Sequence, residues 1–420
     1  MVWRDGQAVS AAQVAALAGQ LAARLPDTRH ALNLCVGRLN FLVSLLAAGL
    51  RRQITLLPYS PLPAVIADLQ KTHPSLHTID DGCLAGLDWQ QHSAHAISLP
   101  AAAPAVTLHT SGTTGAAQAH TRSWRELCAI AGLDGERLLR GRSVNLVASV
   151  PSQHMYGLQT AALLPLFGAC AIHDSRPFFP GDIAAALAGL PAPRALITTP
   201  VHLRACLAGG AALPPLQFVL SATATLDRDL ALGAERAWDT EVMEILGSTE
   251  TATIGTRRTT SGSLWQLLPG ARLEEGADHS VLHTQHLATP VPMADLLRSA
   301  GPGYFEFLGR AADQVKIAGK RASLAELTRQ LLATPGVSDG VVFLPPGAQR
   351  TAALAVAAGR SAGELLDALA QRVDAAFLPR PLRIVAQLPR SSLGKLSQGA
   401  LLDALRQSAA PNGGGTGTGA

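Results

Sequence analysis

Lysine is almost missing from this chain. Of its 34 basic residues only four are lysines, Lys71, Lys316, Lys320 and Lys395, and arginine fills nearly every other basic position. Arginine and lysine serve solubility about equally, so a lysine that survives such a bias marks a place where a compact ammonium is wanted. Aromatic residues make up just 4% of the sequence, and basic residues form no run and no aromatic-studded stripe, which argues against a nucleic-acid partner. Cysteine is also scarce. Cys35, Cys83, Cys128, Cys170 and Cys206 are odd in number, scattered and without metal-ligand spacing, as expected of buried thiols in a reducing compartment. No apolar run is long enough for a bilayer, the longest being residues 41–50 and 161–172. Met1-Val2-Trp3-Arg4-Asp5 passes directly into polar residues without the pattern of a signal peptide, so a soluble cytoplasmic protein is expected. No Gly-x4-Gly-Lys-Ser/Thr occurs, which excludes a P-loop NTPase, and there are no internal repeats.

What is present is a globular composition: 420 residues, 43.5 kDa, 48% hydrophobic, 15% charged, with a net charge of +4 that is spread along the chain. That length accommodates two or three domains. Ser10 to Gln13 reads as a capping box opening a helix with Val14, Leu17 and Leu21 on one face. A helix over 36–50, a strand over 54–57 and a turn plus helix over 58–78 follow. Further strands are predicted at 105–108, 144–150, 169–172, 195–198, 218–220 and 242–246, with a helix at 123–133 and helical or mixed stretches between the others. Such alternation predicts layered α/β sheets covered by helices, with sites in loops at strand ends. After a hairpin-like region at 289–309 the pattern changes. Strands at 315–317, 341–344, 353–357 and 382–388, with helices opening at the capping boxes Ser323–Glu326 and Ser361–Glu364, predict a small α+β domain. The Gly/Thr-rich tail from Pro411 is expected to be disordered.

Candidate chemistry begins at residues 108–118, LHTSGTTGAAQ. Gly112 and Gly115 lie among Thr110, Ser111, Thr113 and Thr114. Glycine lets consecutive amides point into one concavity, and hydroxyls add donors, which makes an anion-binding nest. Alone, such a cluster reads as a polar surface loop. Four further segments change that: Pro151-Ser-Gln-His154-Met-Tyr-Gly157, Leu246-Gly247-Ser-Thr249-Glu250-Thr251, Asp295 through Gly309-Arg310, and Pro389-Arg390-Ser-Ser-Leu-Gly394-Lys395.

In this order and spacing the five segments resemble the adenylate-forming superfamily of acyl- and aryl-CoA synthetases, peptide-synthetase adenylation domains and luciferases. The match runs over about residues 30–405, in a compact variant with a shortened N-terminal part. The resemblance implies a large N-terminal domain (1–309), a small mobile C-terminal domain (310–408) and a disordered tail (409–420). It also implies a two-step reaction, in which a carboxylic acid and ATP give acyl-AMP and pyrophosphate before a thiol takes the acyl group. Thr110 to Gly115 then match the phosphate loop. Ala222, Thr223, Ala224, Leu246 and Gly247 match nucleotide-contacting positions, and Thr249 and Glu250 match the pair meeting phosphate and Mg²⁺. Asp295 matches the ribose-binding aspartate, Arg310 the ribose and phosphate contact at the domain junction, and His154 the mouth of the acyl pocket. Lys395 is the catalytic ammonium, and Lys316, beside Gly319, serves thioester formation. Glu326 matches a family position as well, but its capping partner Ser323 explains it without catalysis.

The chain departs from the pattern at three places. Gln118 stands where the phosphate loop usually has lysine, and His120 or Arg122 is the candidate replacement charge. Leu246 replaces an aromatic that stacks on adenine. Ala312 occupies the usual charged hinge position, with Asp313 beside it. A degenerate, non-catalytic nucleotide- or acyl-binding relative is therefore the rival reading. No aspartate occurs at 152–158 to hold an α-amino group, which favours an aryl or fatty acid lacking one, a small aromatic acid above all. Coenzyme A and the phosphopantetheine of an acyl carrier protein both stand as acceptors, and a homodimer stays open as an assembly.

Overall fold

The computed structural model describes residues 1–110, 118–276, 279–310, 314–317, 320–390 and 396–408, with side chains 310, 314, 316 and 321 left out. It divides into two compact units. One comprises Met1–Arg272, Leu282–Val291 and Ala300–Phe305; the other comprises Leu273–Val281, Pro292–Ser299 and the described residues from Glu306 onward.

The first unit is built on two sheets. Nine strands run in the spatial order Trp265–Leu267, Ala252–Arg258, Val242–Ser248, Phe218–Ser221, Arg194–Thr198, Val144–Ala148, Cys170–His173, Val2–Arg4 and Gln7–Val9. The central strands are parallel, the last two pairs at the Trp265 end are antiparallel, and so is the last pair at the other end. Parallel strands must be covered on both faces, and alternate residues here go to different cores. Leu146, Ile197 and Leu220 join the cluster containing Leu42 and Leu127, whereas Val147, Leu196 and Val219 pack with Ile183, Leu203 and Ala231. The second sheet runs Leu76–Ile79, His30–Asn33, Ile54–Leu57, Pro104–Thr110 and Gln118–Ser123, antiparallel only at the last pair. Its Ala31, Leu57 and Val106 face the same large core, which also takes the helices Arg38–Leu50 and Trp124–Asp134, so helices are sandwiched between two sheets.

The α/β expectation holds, with local corrections. The helix expected from Val36 starts at Arg38, because Gly37 takes extended backbone and the Val36 and Gly37 amides donate to Asp81. Residues 58–78 hold a helix, Pro63–Thr72, and also the start of a strand, Leu76–Ile79. The helix expected from Ser123 begins at Trp124, and residues 118–123 form a strand pairing back on Pro104–Thr110. The boxes at Ser10–Gln13 and Ser361–Glu364 are both complete.

In the second unit a three-stranded sheet, Val337–Phe343, Ala352–Ala357 and Leu382–Ile384, packs on the helices Leu324–Leu332 and Ala362–Ala370 through Leu327, Leu331, Ala355, Leu365 and Leu369. The strand expected over 382–388 stops at Ile384. At Ser323 the box forms by half: its hydroxyl accepts from the Glu326 amide, but the Glu326 carboxylate takes Arg329 and Gln330. Among the described residues no helix is long and apolar enough to cross a membrane. The expectation for the tail concerns residues outside the described ones.

Histidines gather around the five-stranded sheet. The rings of His30 and His73 are 4.5 Å apart, and His73 meets His109 at 6.4 Å. Burial, then the charge of His73, pushes His30 below the ordinary imidazole range, and burial does the same for His77 and His109. A histidine depressed in the folded state contributes stability that is present above its unfolded value of about 6.5 and lost as pH falls through the folded value. Tm is therefore expected to fall as pH drops below about 6.5, and His109→Gln to flatten that slope in a calorimetric pH series.

Candidate functional site

The residues between Gly247 and Ala252 turn the strand Val242–Ser248 back into Ala252–Arg258. The register slips between Leu246 and Gly247. A Cβ on Gly247 would sit 2.2 Å from the Ala252 carbonyl oxygen, so the bulge admits only glycine, and Ala252 itself takes φ +58°. Inside the turn Ser248 and Thr251 close on each other. The Ser248 amide donates to Thr251 Oγ1 at 3.1 Å, the Thr251 amide donates to Ser248 Oγ at 3.2 Å, and the two hydroxyls are 3.0 Å apart.

Outside it, three successive carbonyls are capped. Arg122 Nη2 donates to the Thr249 oxygen at 3.0 Å and to the Glu250 oxygen, and His286 Nε2 donates to the Thr251 oxygen at 3.0 Å. Arg122 is buried and His286 is 4% exposed, so these donors are shielded from water and hold the turn from behind. The Glu250 carboxylate stays partly open to solvent. His120 Nε2 lies 3.4 Å from its Oε1, close enough for an ion pair but off the line of a hydrogen bond. Burial works to raise the Glu250 pKa, but the Ser248 hydroxyl, a backbone amide and the charges of His120 and Arg122 outweigh it and hold the group below the usual carboxylate range. Glu250 is thus an ionised carboxylate beside hydroxyls, the donor chemistry of a hard cation. Among the described residues no group of three His, Cys, Asp or Glu side chains is placed to hold a metal ion. A magnesium ion held by Glu250 would draw its other oxygens from phosphates and water, as that ion usually does.

The His154 segment is anchored as firmly. Arg38 is 1% exposed and donates to Ser152 Oγ at 2.5 Å, to the Ala148 carbonyl at 2.9 Å and to the Val150 carbonyl. Burial, then the charge of Arg176, lowers it to about 9 while Asp174 works the other way, so it remains a cation at neutral pH. Gln153 Nε2 donates to the Cys35 carbonyl at 2.6 Å. His154 then precedes the short helix Met155–Gly157 with extended backbone, and its carbonyl accepts from the Leu158 amide at 2.7 Å. A Cβ on Gly157 would meet the Pro151 carbonyl oxygen at 1.9 Å, which no side-chain movement relieves. Gly157→Ala is expected to cost at least about 1–3 kcal/mol, read as a lower urea midpoint with unchanged m.

The other first-unit candidates sit at strand ends. Thr110 ends the strand Pro104–Thr110 and pairs with Gln118. Ala222, Thr223 and Ala224 follow the strand Phe218–Ser221, and Thr223 takes φ +78°, an outlier for a β-branched residue. Leu246 is half-buried beside the exposed Gly247. In the second unit Asp295 is 7% exposed and opens the strand Asp295–Ser299, and Arg310 ends the strand Tyr304–Arg310. The backbone of Lys316 lies in a two-stranded hairpin opposite Arg321. Ser111 to Gly115, Ala312, Asp313, Gly319 and Lys395 lie outside the described residues, as do the side chains of Arg310 and Lys316.

Arg38 and His286 escaped the sequence reading, since a single polar residue in an apolar helix or loop carries no pattern. Arg122 was noticed for its charge. Its guanidinium is spent on three backbone carbonyls, those of Thr121, Thr249 and Glu250, so of the two candidate replacements for the phosphate-loop lysine His120 is the one paired with the open carboxylate.

The fold and the sequence both have relatives. The 4-coumarate–CoA ligase of Rhodobacter capsulatus is 30% identical over 296 residues, covering 69% of this chain and 73% of its own length. That of Halorhodospira halophila is 28% identical over 300 residues, covering 69% and 74%. Among solved structures, the o-succinylbenzoate CoA synthetase of Bacillus subtilis in complex with its acyl-adenylate superposes with TM-score 0.81 at 18% identity, covering 95% of this chain and 94% of that one. An anthranilate CoA ligase in complex with anthranoyl-AMP gives 0.78 at 16%, covering 94% and 92%. Residues 7–281 match the model of the family described as AMP-binding enzyme, and the chain belongs to that family.

Proposed function

We propose that this protein joins a carboxylic acid to ATP, releasing pyrophosphate and forming an acyl-AMP, and then passes the acyl group to the thiol of coenzyme A. The observation that carries this reading is the Glu250 turn. An ionised, solvent-facing carboxylate is presented by a backbone whose carbonyls are all tied away from the ligand side, in a family whose relatives are CoA ligases. Magnesium, when bound, would screen phosphate charge during attack. Glu250 would hold it, and Thr249 would donate its hydroxyl to a phosphate oxygen. The phosphate loop from Thr110 to Gly115 cradles the triphosphate, Ala222 to Ala224 and Leu246–Gly247 border the nucleotide, and Asp295 accepts from the ribose hydroxyls with Arg310 alongside. His154 guards the acyl entrance, Lys395 stabilises charge on the reacting carboxylate and α-phosphate, and Lys316 serves the thiol step. Domains at 1–309 and 310–408 are part of the same proposal.

A small aromatic acid is the favoured substrate. No aspartate lies near His154 to hold an α-amine, and the relatives in Rhodobacter and Halorhodospira act on 4-coumarate by name. Pyrophosphate release measured with ATP, Mg²⁺ and a panel of aryl, fatty and amino acids tests the first step. Release with none of them would favour the non-catalytic rival, for which Gln118 in place of lysine speaks. Supplying coenzyme A or a phosphopantetheinylated carrier protein then identifies the acceptor by the thioester formed.

A further inference from the structure

The chemistry proposed above leaves one buried carboxyl unused. Asp134 ends the helix Trp124–Asp134 and is 1% exposed. Its Oδ2 accepts from Gln159 Nε2 at 2.9 Å, and the same nitrogen donates to Thr253 Oγ1 at 2.9 Å. Gln159 and Thr253 are 3% and 1% exposed, and Asp134 Oδ1 is buried with no partner. Each member is rooted in a different segment of the candidate site. The helix ending at Asp134 opens at Ser123, next to Arg122; Gln159 lies just beyond His154; Thr253 follows the Glu250 turn and pairs across from Gly247. The backbone is π-helical directly after Asp134, over Gly135–Leu139, and through Gln159, over Leu158–Leu163, a winding that is rare and frequent at functional sites.

We propose that Asp134 is a positioning residue: as a neutral carboxyl it pins the Arg122, His154 and Glu250 segments in one register, and its ionisation loosens the Glu250 turn. That the turn matters for catalysis rests on the proposed function; the pinning itself does not. A buried carboxylate with one oxygen lacking any donor is costly, and taking up a proton removes the charge. Burial accordingly raises the Asp134 pKa to about 7, against the lowering pull of Thr253 and Gln159. Charged groups on its own and adjoining elements, Arg125, Glu126, Glu136, Arg137, Arg257 and Arg258, and His120 and Arg122 on the preceding strand, are not among the causes. For an acid raised in the folded state, the contribution is present below its unfolded value of about 4 and lost as pH rises toward about 7.

Hydrogen exchange of the amides of residues 248–253, corrected for the intrinsic pH dependence, decides the matter at about pH 6 and about pH 8.5. The native protein should lose about tenfold in protection between them, roughly one pKa unit of linkage. Asp134→Asn should stay protected at both, since an amide reproduces the neutral carboxyl, and Asp134→Ala should be unprotected at both. An Asn variant with the native pH dependence, or native protection in the Ala variant, overturns the proposal. If the Ala variant does not fold, the native-to-Asn comparison decides alone. In parallel, kcat for pyrophosphate release should fall over the same range in the native protein, with KM for ATP constant, and stay level in Asp134→Asn. A native protein with no turnover at either pH would refute the proposed reaction and leave the exchange result standing.

Discussion

Lys395→Ala is expected to slow pyrophosphate release about 10²–10³-fold, roughly 3–4 kcal/mol of transition-state stabilisation. The acid's carboxylate and the α-phosphate are both negative when they meet, and one preorganised ammonium is the cheapest means of making that encounter tolerable. Lysine suits the place because a compact point charge on a flexible stem can reach a centre assembled only transiently. The flanks of the segment are secured in the second unit: Arg390 pairs with Asp339 at 2.7 Å and bridges backbone to backbone with Leu396. Stability should change by less than about 0.5 kcal/mol, as for a surface substitution. Pyrophosphate release at the native rate would remove Lys395 from the reaction; a matching loss of Tm and rate would make it structural.

Arg122→Ala should be the second largest lesion, and a lesion of a different kind. The guanidinium donates to the carbonyls of Thr249 and Glu250, and hydrogen bonds from a charged donor are worth about 1.5–3 kcal/mol each. Losing both frees the turn that presents the Glu250 carboxylate. The expected result is a kcat lower by about 10–100-fold, which at 1.36 kcal/mol per tenfold is about 1.4–2.7 kcal/mol, the part of that loss felt in the transition state and not already in the ground state. Arg122→Lys should rescue little, because one ammonium cannot reproduce the planar fork that spans two carbonyls. Were Arg122 instead the replacement for the missing phosphate-loop lysine, KM for ATP would rise while kcat held. That split separates the two roles, and His120→Ala, which removes the imidazole 3.4 Å from Glu250, is the variant expected to shift KM.

The α/β alternation and the capping boxes at Ser10 and Ser361 were legible because periodicity and caps are local properties of a chain. The segment 246–251 was legible as a motif, but its bulge and its Ser248–Thr251 hydroxyl contacts were not, since the register against Ala252–Arg258 sets them. The strand Gln118–Ser123 was not legible. Ala-His-Thr-Arg has little strand character, and its hydrogen bonds come from Pro104–Thr110 across a glycine-rich segment. The π-helical winding at Leu158–Leu163 escaped for a similar reason: nothing in an apolar run distinguishes it from an α-helix.

By itself, then, the amino-acid sequence determined the layered architecture and the family, and it pointed to the residues proposed to touch nucleotide, because these depend on pattern and motif. Tertiary structure alone decided how the support works. It committed Arg122 to backbone carbonyls, buried Arg38 beneath the His154 segment, and joined Asp134, Gln159 and Thr253 at one node. Such contacts link residues as much as 128 positions apart, and a buried donor takes whichever acceptor the packing leaves it, which no neighbour in sequence reveals.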